Sequence, residues 1–173
     1  LNDPNAANFR FADTSLGFAK AHSTADVLTS LDRHQGLPWV NTVAADSSGH
    51  SLYTQSQVLP RITDDLAARC STDLGKLTYP QAGLSVLDGS RGDCAIGSDA
   101  DAVQPGVFGP ARMPTLKDAP YAENSNDSAW LANTGRLWRH SRQLMPGSRG
   151  WLTEPRRRPG ARFAGGEGHA NAI

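Results

Sequence analysis

Residues 38–55 constrain the fold more than any other stretch, because they read as a β-hairpin. Pro38-Trp39-Val40-Asn41-Thr42-Val43-Ala44-Ala45-Asp46 is β-rich and mostly apolar, the composition of a strand buried on both faces. Ser47-Ser48-Gly49-His50 supplies turn residues with a glycine in the loop. Ser51-Leu52-Tyr53-Thr54-Gln55 then alternates as a returning strand does.

A helix precedes the hairpin. Ser23-Thr24-Ala25-Asp26 fits an N-cap with an acid at the third helical position. Val27, Leu28 and Leu31 then share one face. Gly36 is expected to end the helix and Pro38 to prevent its restart. His34 falls in the last turn, where a cation suits the helix dipole, and that role is preferred to a catalytic one.

The flanks are less regular. Asn2-Asp3-Pro4-Asn5 favours a loop over residues 1–7. Phe9, Phe11, Leu16 and Phe18 are spaced for one buried patch, with no clear period. Residues 58–63 read as irregular around Pro60, and residues 64–70 as one or two helical turns. Residues 71–115 read as mostly loop, with a short apolar piece at Leu84-Ser85-Val86-Leu87. Pro105-Gly106-Val107-Phe108-Gly109-Pro110 reads as a turn around a buried Phe108. These elements define an α+β chain.

Formal net charge is zero over 173 residues, so no global field points to nucleic acid or to an anionic membrane. No apolar run approaches the roughly 20 residues that span a bilayer. The neutrality conceals an asymmetry: from Thr134 onward there are eight Arg, no Lys and two Glu, balanced by an acidic excess before it. The first residue is Leu1, which suggests a mature segment, a processed subunit or a fragment.

Cys70 and Cys94 are the two cysteines, without a CxxC or Cys/His cluster, which argues against a zinc site. A disulfide closing one loop and two unrelated thiols are both open readings. The disulfide is adopted, and it implies an oxidising compartment, secreted or periplasmic. Arg91-Gly92-Asp93 is an integrin-type triplet of a length that arises by chance, so its glycine is read as serving a turn. There is no Gly-rich phosphate loop, and Gly83-Leu84-Ser85-Val86 lacks the closing glycine of a nucleophile elbow. No cofactor is indicated.

The chemistry-bearing stretch is Glu123-Asn124-Ser125-Asn126-Asp127-Ser128-Ala129-Trp130-Leu131. Asn and Ser at this density mark a turn, because their side chains bond the local backbone. An amide NH₂ held on such a turn can also donate to an oxyanion. Two other readings compete for Asn126: a surface turn residue, or the acceptor of the sequon Asn126-Asp127-Ser128. Trp39 and Trp130 are read as core or pocket wall.

In order along the chain stand Leu31-Asp32-Arg33-His34-Gln35, Leu37-Pro38-Trp39-Val40-Asn41, Ala44-Ala45-Asp46 and Val58-Leu59-Pro60-Arg61. Val86-Leu87-Asp88-Gly89-Ser90-Arg91 with Cys94, Pro105-Gly106 and Asn124-Ser125-Asn126-Asp127-Ser128 follow. This ordered set resembles the penicillin-amidase-like family of N-terminal-nucleophile hydrolases, in its aculeacin and acyl-homoserine-lactone acylase branch. The resemblance covers residues 1–133 and corresponds to an internal part of the β subunit. It implies a partial αββα sandwich from an exported, self-cleaving precursor. Its partners would be the α subunit, the remainder of the β subunit and a small-molecule amide, with no nucleic acid and no membrane. It implies Asn126 as an oxyanion-hole donor and Asn124 as support for the turn.

Two departures accompany the resemblance. The nucleophile, a Ser whose own α-amine is the base, is expected upstream of Leu1, so the chain alone is expected to be inactive. The family character also stops near Asn133. Residues 134–173 form an Arg/Gly/Pro-rich tail, expected to be disordered and read as the product of a shifted frame in a GC-rich gene, the rival reading being a basic arm that binds nucleic acid. The alternative to the hydrolase is a small secreted, disulfide-stapled interaction domain, for which Cys70, Cys94 and Arg91-Gly92-Asp93 would be the support.

Overall fold

The computed structural model describes residues 3–82, 84–124 and 132–133. Among them the chain forms α1 (Phe11–Ala19), α2 (Thr24–His34), β1 (Thr42–Ala45), β2 (Ser51–Thr54), α3 (Asp64–Cys70), α4 (Asp73–Ala82) and β3 (Thr115–Lys117). The strands make one antiparallel sheet in the order β1-β2-β3. An α+β fold is therefore present.

Helix α2 begins as its sequence predicts. Ser23 Oγ accepts the Asp26 N–H at 3.1 Å, and the Asp26 carboxylate accepts the His22 N–H at 3.0 Å, so two otherwise unpaired donors are met. Its end differs from expectation. The left-handed residue is Gln35, at φ 41°, not Gly36. A side chain tolerates that conformation here because Gln35 is buried and bonded at both ends of its amide. Gly36 is needed for a different reason: a Cβ there would collide with the Arg10 carbonyl and Thr14 Oγ1.

The hairpin is present, shorter than predicted. Ala45 pairs with Ser51 and Thr42 with Thr54. Gly49 takes φ 87° in the turn, and its N–H donates to the Asp46 carbonyl at 3.0 Å. Asp46 also fastens the hairpin to α2, its carboxylate accepting the Thr24 N–H at 3.1 Å and the Thr24 hydroxyl at 3.2 Å. The Thr24 N–H is the main cause that holds the Asp46 carboxyl below its usual value. Burial on both faces of this strand is not observed. Val43 is 57% exposed, since β1 alternates in burial and only one of its faces is covered, and Trp39, ahead of β1, is 76% exposed.

The expected aromatic patch near the N-terminus is also overturned. Residues 11–19 form α1, yet Phe9, Phe11 and Leu16 are exposed and the buried position is Thr14. α1 meets α2 through small and polar groups: Ser30 Oγ donates to the Thr14 carbonyl, and a Cβ on Gly17 would strike the Ser30 side chain. Phe9 and Phe11 are exposed and Phe18 is half-buried, because the contact face needs closely spaced backbones.

Helix α3 matches the expected turns, capped by Thr63 Oγ1 accepting the Leu66 N–H at 3.2 Å. Helix α4 replaces part of the predicted loop. Thr72 Oγ1 accepts the Gly75 N–H at 3.2 Å, which caps it, and Pro80 lies toward its far end. The apolar piece at 84–87 runs back beside α3's end, with the Thr72 N–H on the Val86 carbonyl at 2.9 Å and Ser71 bridged to Leu87. Cys70 and Cys94 are joined in a disulfide, Cα to Cα 5.6 Å, packed with Leu66, Leu87 and Ile96.

Residues 59–61 and 106–108 lie side by side: Phe108 N–H donates to the Leu59 carbonyl at 3.0 Å and Arg61 N–H to the Gly106 carbonyl at 2.9 Å. Phe108 is buried with Met113 and Leu59, as the turn around it predicts, and Gly106 takes φ 82°. Arg61 and Arg112 flank the Asp99 carboxylate, at 2.6 and 3.7 Å.

Candidate active-site turn

Glu123 and Asn124, which open the polar stretch, and Ala132 and Asn133, which follow it, meet next to the core of the sheet. Ala132 packs on Tyr53 of β2 and Leu116 of β3. The Glu123 N–H donates to the Ala132 carbonyl at 2.8 Å, and Asn133 Nδ2 donates to the Tyr121 carbonyl at 2.9 Å. The two flanks of the stretch are thus cross-tied, which costs less entropy than ordering an open loop. Tyr53 anchors this region. It is 1% exposed, burial pushes its phenol up, and its hydroxyl accepts from Gln55 Nε2 at 3.0 Å, which opposes that rise.

Asn124 is exposed and its Oδ1 accepts from Asn41 Nδ2 at 2.8 Å, across 83 residues of chain. Asn41 Oδ1 in turn accepts from Gln57 Nε2 at 2.9 Å. Three carboxamides therefore link the exit of β2, the approach to β1 and the start of the turn. Asn41 and Gln57 are the contributors that sequence reading missed. The available signal was a single Asn inside an apolar run predicted to be strand, where an unpaired amide would be costly.

Asn126 and Trp130 lie outside the described residues, as do residues 134–173. Trp39 is not in the core. His34 Nδ1 lies 3.4 Å from Ser30 Oγ in the last turn of α2. Arg33 and His34 lie in that last turn, and Arg10 adds a charge there, its Nε donating to the His34 carbonyl at 2.8 Å and its Nη2 to the Gln35 carbonyl at 3.4 Å. Arg91 and Asp93 are bonded to each other, and Arg91 Nη1 donates to the Arg69 carbonyl at 3.2 Å. The two charges of the triplet are thereby engaged within their own loop, with Gly92 opening a 3₁₀ turn. Among the described residues there is no group of three or more His, Cys, Asp or Glu side chains able to hold a metal ion, and no helix long and apolar enough to cross a membrane.

Chemically, the described flanks hold one exposed carboxamide, that of Asn124, on Asn41, and keep Ala132 against the sheet. Preorganised donors of this kind stabilise negative charge on oxygen without reorganising during the reaction.

The penicillin amidase family model matches residues 4–160. Aculeacin-A acylase from Actinoplanes utahensis is 47% identical over 133 residues, covering 77% of this chain and 17% of that protein. Acyl-homoserine lactone acylase PvdQ from Pseudomonas fluorescens is 40% identical over 135 residues, covering 77% of this chain and 16% of that protein. The Pseudomonas putida protein of the same name is 38% identical over 133 residues, covering 77% and 17%. The chain thus spans 16–17% of the length of these curated relatives. By the family match over most of its length, the chain belongs to the penicillin amidase family.

Proposed function

We propose that this chain supplies the oxyanion-binding turn of an acylase that hydrolyses a linear amide. The observation that carries the proposal is how the two flanks of the 125–131 segment are held, in a chain of this family: Asn124 accepts from Asn41 just ahead of β1, Glu123 is tied to Ala132, and Ala132 packs on Tyr53 and Leu116 of the sheet. Such attachment is what a donor aimed at a developing charge requires.

In this reading a Ser at a subunit N-terminus, outside the chain, attacks the scissile carbonyl, and its own α-amine takes the proton. Asn126 donates its side-chain NH₂ to the resulting oxyanion. Collapse of the tetrahedral intermediate expels the amine, and water then releases the acid. The acyl compounds to be considered are acyl-homoserine lactones, lipopeptide antibiotics and penicillins, the first in keeping with the name of the Pseudomonas relatives. The α subunit and the rest of the β subunit complete the site, and a secreted or periplasmic location fits the Cys70–Cys94 disulfide.

The test is kinetic. In the complete enzyme carrying this segment, Asn126→Ala lowers kcat by about 10²–10³ and leaves KM nearly unchanged. An unchanged kcat would remove Asn126 from the oxyanion hole. The 173-residue chain by itself is expected to show no turnover above buffer, and measurable turnover would place the nucleophile within it.

A further inference from the structure

Asn41 is bonded on both sides in one sense. Gln57 Nε2 donates to Asn41 Oδ1 at 2.9 Å, and Asn41 Nδ2 donates to Asn124 Oδ1 at 2.8 Å. At each step an NH₂ meets a carbonyl, proceeding from buried Gln57 toward exposed Asn124. A carboxamide carries its acceptor and its donors on opposite sides of one carbon. Pinning the Asn124 carbonyl on Asn41 therefore turns the Asn124 NH₂ away from the sheet, and no acceptor meets that NH₂ among the described residues. Hydrogen bonds aligned in series polarise one another, which strengthens the terminal donor.

We propose that Asn41 is a positioning residue that orients Asn124, and that Asn124 presents its NH₂ as a fixed donor to the carbonyl oxygen of an acyl-amide substrate. The inference rests on the acylase reading above and goes beyond turn support as the role of Asn124. A simple tether would need contact between positions 41 and 124 and no particular polarity. The oriented donor needs the polarity as well.

Two near-isosteric changes separate these roles. Asn124→Asp still accepts from Asn41 Nδ2 and keeps the tether, yet has no NH₂ to offer. Asn41→Asp accepts from both neighbours, so Asn124 must turn its NH₂ inward and its carbonyl outward. In the complete enzyme each change is expected to lower kcat about tenfold or more, with KM within about twofold. Hydrogen exchange at the Glu123 backbone amide should stay as in the wild type, because the turn remains attached. Asn41→Leu, which removes the tether, should speed that exchange.

Side-chain NH₂ exchange, read by ¹⁵N NMR on the 173-residue chain, gives the orientation directly. Slow exchange at Asn41 with fast exchange at Asn124, reversed toward protection of the Asn124 NH₂ in Asn41→Asp, supports the proposal. A protected Asn124 NH₂ in the wild type overturns it. Wild-type kcat in both Asp variants also overturns it and leaves a plain tether. Absence of acyl-amide turnover by the wild-type complete enzyme instead overturns the acylase reading, and the substrate role of Asn124 with it.

Discussion

The side chain of Gln35 donates to the carbonyl oxygen of Phe108 at 3.0 Å, across 73 residues of chain. Its Oε1 accepts the Val103 N–H at 2.9 Å, so one buried amide stitches the end of α2 to the loop that precedes β3. Cutting this link leaves two backbone groups to be satisfied again in a buried setting. Gln35→Ala is expected to cost about 3 kcal/mol, read as a lower urea midpoint at unchanged m-value. Gln35→Gly loses the same bonds and relieves the left-handed strain, so it should be the milder of the two. Equal losses would mean that the backbone at Gln35 stores no strain.

Stability toward acid should depend on Asp99. Burial raises its carboxyl, but the bond from Arg61, the Gly109 N–H and the charges of Arg61 and Arg112 outweigh it and hold it below the ordinary 3.8. A folded value below the unfolded one contributes stability at pH above the unfolded value, and loses it as pH falls through the folded one. Asp99→Asn is therefore expected to destabilise the chain at pH 7, with the gap from wild type narrowing once the pH falls below the unfolded carboxyl's value and closing as it passes the lower folded one. Urea titrations of both proteins at pH 7, 4 and 3 check this, and a constant gap across that range would count against it.

The Cys70–Cys94 bridge spans a sequence separation of 24. A crosslink over a loop of this size restricts the unfolded chain by about 3 kcal/mol in the chain-entropy account. Reduction, or the double change Cys70→Ser with Cys94→Ser, should lower the thermal midpoint accordingly. The loss of protection in hydrogen exchange should begin at α3 and residues 84–94, since Cys70 and Cys94 pack with Leu66, Leu87 and Ile96. Loss beginning instead at the hairpin would contradict this assignment.

Gly36 sits where the chain leaving α2 passes the start of α1. A methyl group there meets the Arg10 carbonyl, a backbone atom with no room to yield. Gly36→Ala should cost about 2 kcal/mol or more through displacement of α1. It should also weaken the bonds from Arg10 to the His34 and Gln35 carbonyls, seen as faster exchange at the end of α2. At Gly89 a Cβ meets nothing, so Gly89→Ala is the control expected to fold normally.

The elements that could be read from sequence are those whose signals are local. Ser23, Asp26 and the period of Leu28 and Leu31 announce α2, and Gly49 announces the hairpin turn. α1 escaped because its packed face is Thr14 and Gly17, which carry little hydrophobic signal, while Phe11 and Leu16 lie outside. α4 escaped because Gly75 and Pro80 are breakers by composition, and the cap from Thr72 outweighs them only once the Ser71–Leu87 bridge holds its start. At the site, Asn124 could be read from the density of Asn and Ser, whereas Asn41 and Gln57 could not.

By itself the sequence determined the capped helix, the hairpin, the cysteine pair and, through ordered pieces of the chain, membership of the penicillin amidase family. Those depend on neighbours a few residues apart, whose chemistry acts wherever the segment lies. Only the tertiary structure decided that Asn41 meets Gln57 and Asn124, that Gln35 rather than Gly36 takes the left-handed position, and that Trp39 faces outward. A hydrogen bond reaches about 3 Å, and no spacing along the chain reveals which two carboxamides, 83 residues apart, will lie within that reach.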